Sequence, residues 1–163
     1  MLKFVKSIML KFTKNRKLKF VKIRDVKSPT RAHRTDAGID FYVPNDFEPI
    51  TLRPGEDAKI PAGVKVIVPE GYALIYYNKS GKAVKDKLMV GACVVDSDYR
   101  GEVHLHVFNF GLEDRVINPG DKLVQGILQE VSLDMPEEIS EEEYETYCNT
   151  ERGEGGFGST GTN

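Results

Sequence analysis

An acidic turn between two apolar stretches contains the first residues that could do chemistry. The segment VVDSDYRGE at 94–102 leads two valines into a turn with two acids and a tyrosine, and Gly101 opens the next strand. A carboxylate at the lip of such a hairpin can accept a proton from a water molecule that attacks phosphorus. The same residues, taken alone, also fit an ordinary Asx-type turn.

A glycine-rich segment at 151–163, ERGEGGFGSTGTN, contains groups that could bind phosphate directly. Gly153, Gly155 and Gly158 match the spacing of a dinucleotide fingerprint, but that motif must open a helix, and no Lys-Ser or Lys-Thr follows to make a Walker loop. Backbone amides, hydroxyls and a guanidinium can still surround a polyphosphate, and an aromatic ring can stack on a base. The groups available are Arg152, Phe157, Ser159 and Thr160. A disordered tail is the alternative.

A third group, NKSGK at 78–82, follows an apolar stretch. It offers backbone amides, a hydroxyl and a cation that could meet phosphate oxygens. By itself this signal is weak.

The elements that must position these groups are predicted to be β-strands. Six stretches are rich in β-branched and aromatic residues, and turn residues such as Arg-Pro-Gly at 53–55 and Asn-Pro-Gly-Asp at 118–121 separate them. Short strands with turns at close intervals predict a sandwich, a barrel or a jelly roll. The stretches are LKFVKI (18–23), GIDFYV (38–43), VKVIV (64–68), YALIYY (72–77), VHLHVFNF (103–110) and KLVQGIL (122–128).

The two ends of the chain differ sharply in charge, although the net charge is only −2. Residues 1–22 carry eight basic side chains and no acid, with LKFVK, LKFTK and LKFVK repeated at a spacing of eight. Such a segment could touch nucleic acid or an anionic membrane, but we favour a solvated extension over 1–17. Residues 134–151 carry eight acids and no base. EEISEEEYETY at 137–147 fits a short helix or a solvated acidic connector, and we favour the connector.

Composition narrows the classes of protein. A length of 163 residues suits one domain, and two separated cysteines, Cys93 and Cys148, make no disulfide framework. The same cysteines, with three histidines and no Cys-x-x-Cys, argue against a zinc site. No apolar run approaches the roughly 20 residues of a membrane span, and lysines interrupt the start where a signal peptide would be apolar. We therefore expect an intracellular protein, in the host cytoplasm if the source is a virus.

Taken together, these segments resemble one family, the trimeric dUTPases (deoxyuridine 5′-triphosphate nucleotidohydrolases). The resemblance runs over about residues 18–163, and the segments follow the order of the family's five motifs. The third and the fifth of these motifs are highly specific. The five matching segments are TDAGIDFYVP (35–44), NKSGKA (78–83), GACVVDSDYRGE (91–102), GDKLVQ (120–125) and RGEGGFGSTG (152–161).

The resemblance implies the fold, the assembly and the reaction. It implies an all-β, distorted jelly roll, β-barrel-like, with a core at 18–133, followed over 134–163 by an acidic connector and a glycine-rich arm that closes over a neighbour's active site. It implies a homotrimer in which all three subunits build each site. The reaction would be magnesium-assisted hydrolysis of dUTP to dUMP and pyrophosphate, which limits uracil incorporation into DNA and supplies dUMP for dTMP synthesis.

The resemblance also assigns roles to single residues. Asp96 matches the general base that activates the attacking water, and Tyr99 matches the ring that leaves no room for a 2′-hydroxyl. The backbone following residue 91, including Cys93, would read uracil. The phosphate-binding positions are Lys79, Ser80, Gly81 and Gln125. In the arm, Phe157 with Gly158 would cover uracil, while Arg152, Ser159 and Thr160 would hold the γ-phosphate.

Magnesium is the cofactor that the resemblance implies, held by the three phosphates and by water rather than by a protein cage. Asp40 matches the acid of the first motif, which supports the metal's water shell and a neighbouring arginine. Asp40 and Gln125 would act on the metal only through water, so no direct protein ligand is predicted.

Three positions depart from the family's pattern. The second motif usually reads Arg-Ser-Gly followed by an apolar residue, whereas this chain has Lys79 and Lys82 at the outer positions. Lysine keeps the charge but loses the planar fork of arginine. Cys93 stands where glycine is usual, and its thiol could narrow the uracil slot or point away from it. The connector before the last motif is also longer and more acidic than usual.

Two alternative functions follow from the same residues. A dCTP deaminase on this fold needs a glutamate where His106 aligns, and VHLHVFN at 103–109 contains no acid. A binding or regulatory protein could use the basic segment as an interaction arm, although nucleic acid and membrane are not the expected partners. Because Asp96, Tyr99 and the last motif are intact, we favour catalysis on dUTP.

Overall fold

The computed structural model describes residues 17–156. Most of the predicted basic extension, residues 1–16, and the last seven residues, 157–163, lie outside the described part. The chain divides into two compact units at Ser132–Leu133, and each is described separately below.

The first unit, in its described part at 17–132, contains ten β-strands in three antiparallel sheets and one short helix. The strands are β1 (Lys19–Lys22), β2 (Ile39–Tyr42), β3 (Ile50–Leu52), β4 (Asp57–Ile67), β5 (Tyr72–Asn78), β6 (Leu88–Val90), β7 (Val94–Val95), β8 (Glu102–Asn109), β9 (Arg115–Ile117) and β10 (Lys122–Glu130). The strand orders are β1-β4-β8-β6, β2-β10-β5-β7 and β3-β9. The prediction of an all-β fold is confirmed, although the sheets of the described part do not close into a barrel.

Alternating burial explains why these strands form one core. Strand β8 buries every second side chain, Val103, Leu105, Val107 and Asn109, against side chains of the neighbouring strands. This period of two is what a strand with one face on the core requires. Strand β1 by contrast has four exposed residues at the edge of its sheet.

All six predicted strand segments overlap a strand of the first unit, although β4 begins seven residues before the predicted segment at 64–68. The four strands that the sequence did not reveal, β3, β6, β7 and β9, are only two or three residues long. Alternation cannot be recognised over so few residues, because two or three positions fit almost any period.

A six-residue helix, α1 (Ser80–Lys85), includes the last three residues of the NKSGK segment, for which the sequence analysis predicted no helix. It begins directly after β5, and Ala83 N donates to the carbonyl of Lys79 at 2.8 Å. A helix this short has no detectable apolar periodicity, and none of its residues is buried.

The second unit, in its described part at 133–156, contains one helix, α2 (Glu141–Glu145). The preference for a plain connector at 137–147 was therefore wrong for these residues. Ser140 caps the helix, since its hydroxyl accepts from Glu143 N at 3.1 Å, and three glutamates in the first turn complement the helix dipole. The Ser-x-x-Glu pattern at 140–143 was the available signal.

Within 17–156, no helix has the length and apolar character that crossing a membrane would require.

Candidate functional site

The acidic turn at 96–99 borders a cleft in the first unit. Strand β7 pairs with β5 and ends at Val95, so that Asp96 begins the turn with its side chain exposed to solvent. The turn is closed by Tyr99 N donating to the Asp96 carbonyl at 3.3 Å. The cleft is lined by Tyr76, Ala92, Cys93, Val94, Val95, Asp96, Tyr99, Glu102, Val103 and His104. A carboxylate thus stands at the rim of a largely apolar cleft.

Tyr99 forms one wall of this cleft and is held there by its own hydroxyl. The phenol donates to the carbonyl of Glu102 at 2.8 Å, across the turn. The ring therefore cannot swing freely, although 43% of its surface is exposed. A ring fixed in this way can exclude a bulky group by steric contact.

The loop 91–93 contributes Ala92 and Cys93 to the lining of the same cleft. The carbonyl of Cys93 accepts from Tyr76 N at 2.8 Å, and Ala92 N donates to Nδ1 of His106 at 2.8 Å. Cys93 is half-buried and packs against the core. Its side chain thus takes part in the wall between cleft and core.

A second cleft of the first unit collects charged and amide groups from three strands. Asp40 lies on β2, Gln125 on β10 and Lys79 just beyond the end of β5. The pairing of β10 with both neighbours brings them together, because Gln125 stands opposite Asp40 on one side and Tyr77 on the other. The cleft is lined by Ala32, Asp36, Ala37, Gly38, Asp40, Lys79, Gln125 and Ile127.

Asp40 is a buried carboxylate between two lysines. One carboxylate oxygen pairs with the ammonium of Lys79, and the other lies 3.2 Å from Nζ of Lys122. Burial opposes ionisation, but hydrogen bonds and charge attraction from Lys79 and Lys122 outweigh it and hold the pKa of Asp40 below its ordinary value. The pKa of Lys122 is raised for the same reason, by its hydrogen bond to Asp40. The expected arginine neighbour of Asp40 is replaced by this lysine pair.

Gln125 is oriented by a strand end and by a glycine. Its amide nitrogen donates to the carbonyl of Asn78 at 2.8 Å, which assigns the acceptor Oε1 to the other side of the planar group. Oε1 lies over Gly38, where an added Cβ would come within 2.1 Å of it. Any side chain at position 38 would displace this amide.

The remaining residues of the second motif lie on α1. Ser80 and Gly81 are exposed at its start. Lys82, one of the departures from the family's pattern, turns towards two acids: its Nζ lies 3.1 Å from Asp86 and 3.7 Å from Asp121. The ion-pair partners of Lys82 are thus Asp86 and Asp121, whereas Lys79 pairs with Asp40.

The last motif is only partly described. Arg152 is exposed in the second unit, and its Nε donates to the Gly155 carbonyl at 2.7 Å. The predicted contacts of Phe157, Gly158, Ser159 and Thr160 lie outside the described residues and stay predictions.

The predicted site residues of the first unit thus fall into two separate groups. Asp96, Cys93 and Tyr99 share the hairpin cleft, whereas Lys79 and Gln125 share the charged cleft with Asp40. The two clefts have no lining residue in common. The predicted site residues of one chain therefore line two different clefts.

Two positions near these clefts were not singled out from the sequence. Lys122 lies inside the GDKLVQ segment, and a lysine three residues before Gln125 was its only signal. His106 was noted only as the place where a deaminase would have glutamate. Their contacts with Asp40 and Ala92 depend on strand register, which no local pattern reveals.

The charged cleft suits a magnesium ion that is carried by phosphates. Within 17–156, no three acidic, histidine or cysteine side chains are grouped so that they could hold a metal ion. Both carboxylate oxygens of Asp40 are engaged by ammonium groups, which leaves this acid poorly placed to ligate a cation directly. Magnesium keeps several water ligands in such sites, so that Asp40 and Gln125 Oε1 fit contacts to metal-bound water.

Comparisons with known proteins agree on one family. The dUTPase family model matches residues 24–161. The deoxyuridine 5′-triphosphate nucleotidohydrolase of Mus musculus is 40% identical over 136 residues, covering 83% of this chain and 79% of its own.

Solved structures share the fold. A mutant dUTPase of Staphylococcus bacteriophage 80alpha, solved with dUpNHpp, superposes with a TM-score of 0.78 at 24% identity, covering 91% of this chain and 100% of its own. A dUTPase of phage phi11 of S. aureus, described with a structural Mg(II) ion, gives a TM-score of 0.69 at 24% identity and covers 77% and 97% of the two chains.

Proposed function

Because the chain belongs to the dUTPase family, we propose that it hydrolyses dUTP to dUMP and pyrophosphate by magnesium-assisted attack of water on the α-phosphorus. The observation that carries the proposal is the hairpin cleft, in which the exposed carboxylate of Asp96 and the fixed ring of Tyr99 border one apolar pocket. A base and a sugar fit such a pocket, and a water molecule can be activated at its rim.

Asp96 acts as the general base in this proposal. Its carboxylate accepts a proton from the attacking water while the water oxygen bonds to the α-phosphorus. The bond from the α-phosphorus to the oxygen that bridges it to the β-phosphorus breaks, and pyrophosphate leaves. The exposed position of Asp96 after β7 keeps its carboxylate accessible to water.

The hairpin cleft selects the nucleoside. The backbone of 91–93 reads uracil, and a tight slot there excludes the methyl group of thymine. The amide pattern rejects cytosine, since it would leave buried polar groups unpaired. The ring of Tyr99, fixed by its bond to the Glu102 carbonyl, excludes the 2′-hydroxyl of a ribonucleotide.

The charged cleft receives the triphosphate. Lys79 and Gln125, with Ser80 and Gly81 nearby in sequence, supply the cation, the amide and the backbone groups for phosphate oxygens. Magnesium bound to the phosphates would neutralise charge and favour in-line attack. Asp40 keeps Lys79 in place and would contact water bound to the metal.

The separation of the two clefts supports a shared site in a homotrimer. A nucleoside in the hairpin cleft of one subunit would have its phosphates in the charged cleft of a second. The segment from residue 134 would then serve as connector and arm of the third, with Arg152, Ser159 and Thr160 on the γ-phosphate and Phe157 over the base. The core would span 18–133, preceded by the basic extension.

The decisive test of the function is release of pyrophosphate from dUTP, dCTP, dTTP and UTP with magnesium. We expect rapid release from dUTP alone and loss of activity when magnesium is chelated. Ammonia release from dCTP is followed in the same samples. Deamination would support the rival enzyme, although position 106 carries a histidine that is bonded to Ala92 and Asp57. Folded protein that leaves dUTP untouched would overturn the proposal and favour a binding role.

Mixing two inactive variants tests whether subunits share the site. Asp96→Asn removes the general base from the hairpin cleft, and Lys79→Ala removes the cation from the charged cleft. We expect an equimolar mixture, after subunit exchange, to regain about a quarter of the parent activity, because that fraction of interfaces joins two intact halves in a cyclic trimer. Pyrophosphate release before and after exchange measures the gain.

The matched control for this mixture is Asp96→Asn combined with the double variant Asp96→Asn/Lys79→Ala. No interface in it has the Asp96 carboxylate, so it should stay inactive. Activity that does not rise in the first mixture, despite verified exchange, would place both halves within one chain.

A further inference from the structure

A histidine on β8 connects the loop 91–93 to the neighbouring strand β4. Nδ1 of His106 accepts from Ala92 N at 2.8 Å, and Nε2 lies 2.8 Å from a carboxylate oxygen of Asp57. The backbone repeats the connection, since Gly91 N donates to the His106 carbonyl at 3.0 Å. His106 thus makes two hydrogen bonds with the loop 91–93 and one with Asp57 on β4.

The contacts define the state of the imidazole. Because Ala92 contributes a hydrogen, Nδ1 must be the unprotonated acceptor, and the proton of the neutral ring lies on Nε2. This proton is donated to Asp57, which fixes both the tautomer and the rotation of the ring. A carboxylate that orients a histidine in this way is a recurring means of holding the histidine's other nitrogen at a partner.

The bond to Ala92 determines the direction of one peptide group. The Gly91–Ala92 peptide is planar, so when its N–H points at His106, its C=O points the opposite way. On the other side of the loop, the Cys93 carbonyl is held by Tyr76 N. The polar backbone groups of 91–93 are therefore oriented from both flanks, and Ala92 and Cys93 both line the hairpin cleft.

Glycine at position 91 is what allows the imidazole to approach. A Cβ built on Gly91 would lie 2.2 Å from Nδ1 and 2.5 Å from Cε1 of His106. Real side chains do not tolerate such distances, so a larger residue would push the ring away from Ala92. The close approach of His106 to the loop 91–93 therefore requires glycine at position 91.

We propose that His106, oriented by Asp57, is a positioning residue for base recognition: it holds the Gly91–Ala92 peptide so that the loop 91–93 presents its backbone to uracil. The inference rests on the proposed function, which places uracil at this loop. His106 contacts no substrate in this proposal and acts through the peptide that it orients.

Steady-state kinetics on three His106 variants test the proposal. In His106→Ala we expect KM for dUTP to rise about tenfold and kcat to stay within about twofold, because the lost peptide orientation weakens base binding and leaves Asp96 in place. The preference for dUTP over dTTP should fall by a similar factor. His106→Asn, whose amide oxygen can take the place of Nδ1, should keep both values within about threefold of the parent. His106→Gln cannot accept from Ala92 and should resemble the alanine variant.

Gly91→Ala provides a second, independent perturbation of the same contact. It should raise KM alone, and adding it to His106→Ala should cost little more, because both changes break one interaction. Thermal unfolding of every variant identifies those that remain folded. The pair of asparagine and glutamine variants retains the test even if the alanine variant is unfolded.

The outcomes separate this inference from the proposed function. A parent protein without dUTP hydrolysis would remove the function and the inference together. An active parent, with His106→Ala and His106→Gln unchanged in KM and in base preference, would overturn the inference alone. A fall in kcat equal in all three variants, with KM unchanged, would show a structural role instead and would also overturn it.

Discussion

Asp96→Asn should lower kcat for dUTP hydrolysis by about 10²- to 10⁴-fold, the usual contribution of a general base. Asparagine has nearly the same shape as aspartate, but its amide cannot take the proton from the attacking water. KM for dUTP should stay within about threefold, because the hairpin cleft and the charged cleft both remain intact. Pyrophosphate release, with binding of the non-hydrolysed analogue dUpNHpp measured in parallel, checks both quantities.

Asp114→Asn is the matched control. It makes the same chemical change at an exposed carboxylate between β8 and β9 that borders neither cleft. It should retain the parent's kcat. If Asp96→Asn hydrolyses dUTP at the parent rate, another group is the base. If it loses dUpNHpp binding as well, Asp96 contributes to binding rather than to proton transfer.

The sequence predicts directly which candidate site residues lie close together only where they belong to one short segment. Asp96 and Tyr99 are three residues apart on one turn, so their common cleft follows from local chain geometry. The six longer strands were also predictable, because each spans enough residues to show its composition and alternation.

The lysine pair at Asp40 could not be predicted in the same way. Lys122 reaches Asp40 because β10 pairs with β2 and shifts register between Lys122 and Val124. A bulge of this kind depends on the packing of both strands and moves every later side chain relative to its partner. The contact of His106 with Ala92 likewise joins residues 14 positions apart through a pairing that no local pattern encodes.

Asp40→Asn should destabilise the protein by about 1–3 kcal/mol at pH 7, since it removes a charged acceptor from two lysines. The Asp40 side chain is only 8% exposed, which limits replacement of the lost contacts by water. Lys79 and Lys122 are 24% and 47% exposed and can be hydrated, which keeps the loss below that of a fully buried pair. Urea unfolding at several pH values measures the difference.

The pH dependence of that difference follows from the direction of the pKa shift. Folding lowers the pKa of Asp40, so its contribution is fully present above the ordinary carboxyl pKa of about 3.9 and is lost as pH falls through the lower folded value. The stability gap between parent and variant should therefore be constant from pH 7 to about pH 5 and should shrink below about pH 4. A gap that widened on acidification would contradict the assigned ion pairs.

The exposed pair of Arg24 and Asp46 supplies the control for an ion pair without burial. Asp46 is 51% exposed and lies 3.0 Å from Arg24, so Asp46→Asn should change stability by at most about 1 kcal/mol.

Asp40→Asn should in addition lower kcat/KM for dUTP by about 10- to 100-fold, because Lys79 would no longer be held where the triphosphate needs it. A variant that lost stability but kept kcat/KM would show that the lysine pair only supports the fold. If Asp40→Asn lowers both stability and kcat/KM while Asp46→Asn lowers neither, the Asp40 carboxylate has two roles. It stabilises the contact of β2 with β10, and it positions the Lys79 ammonium for the phosphates.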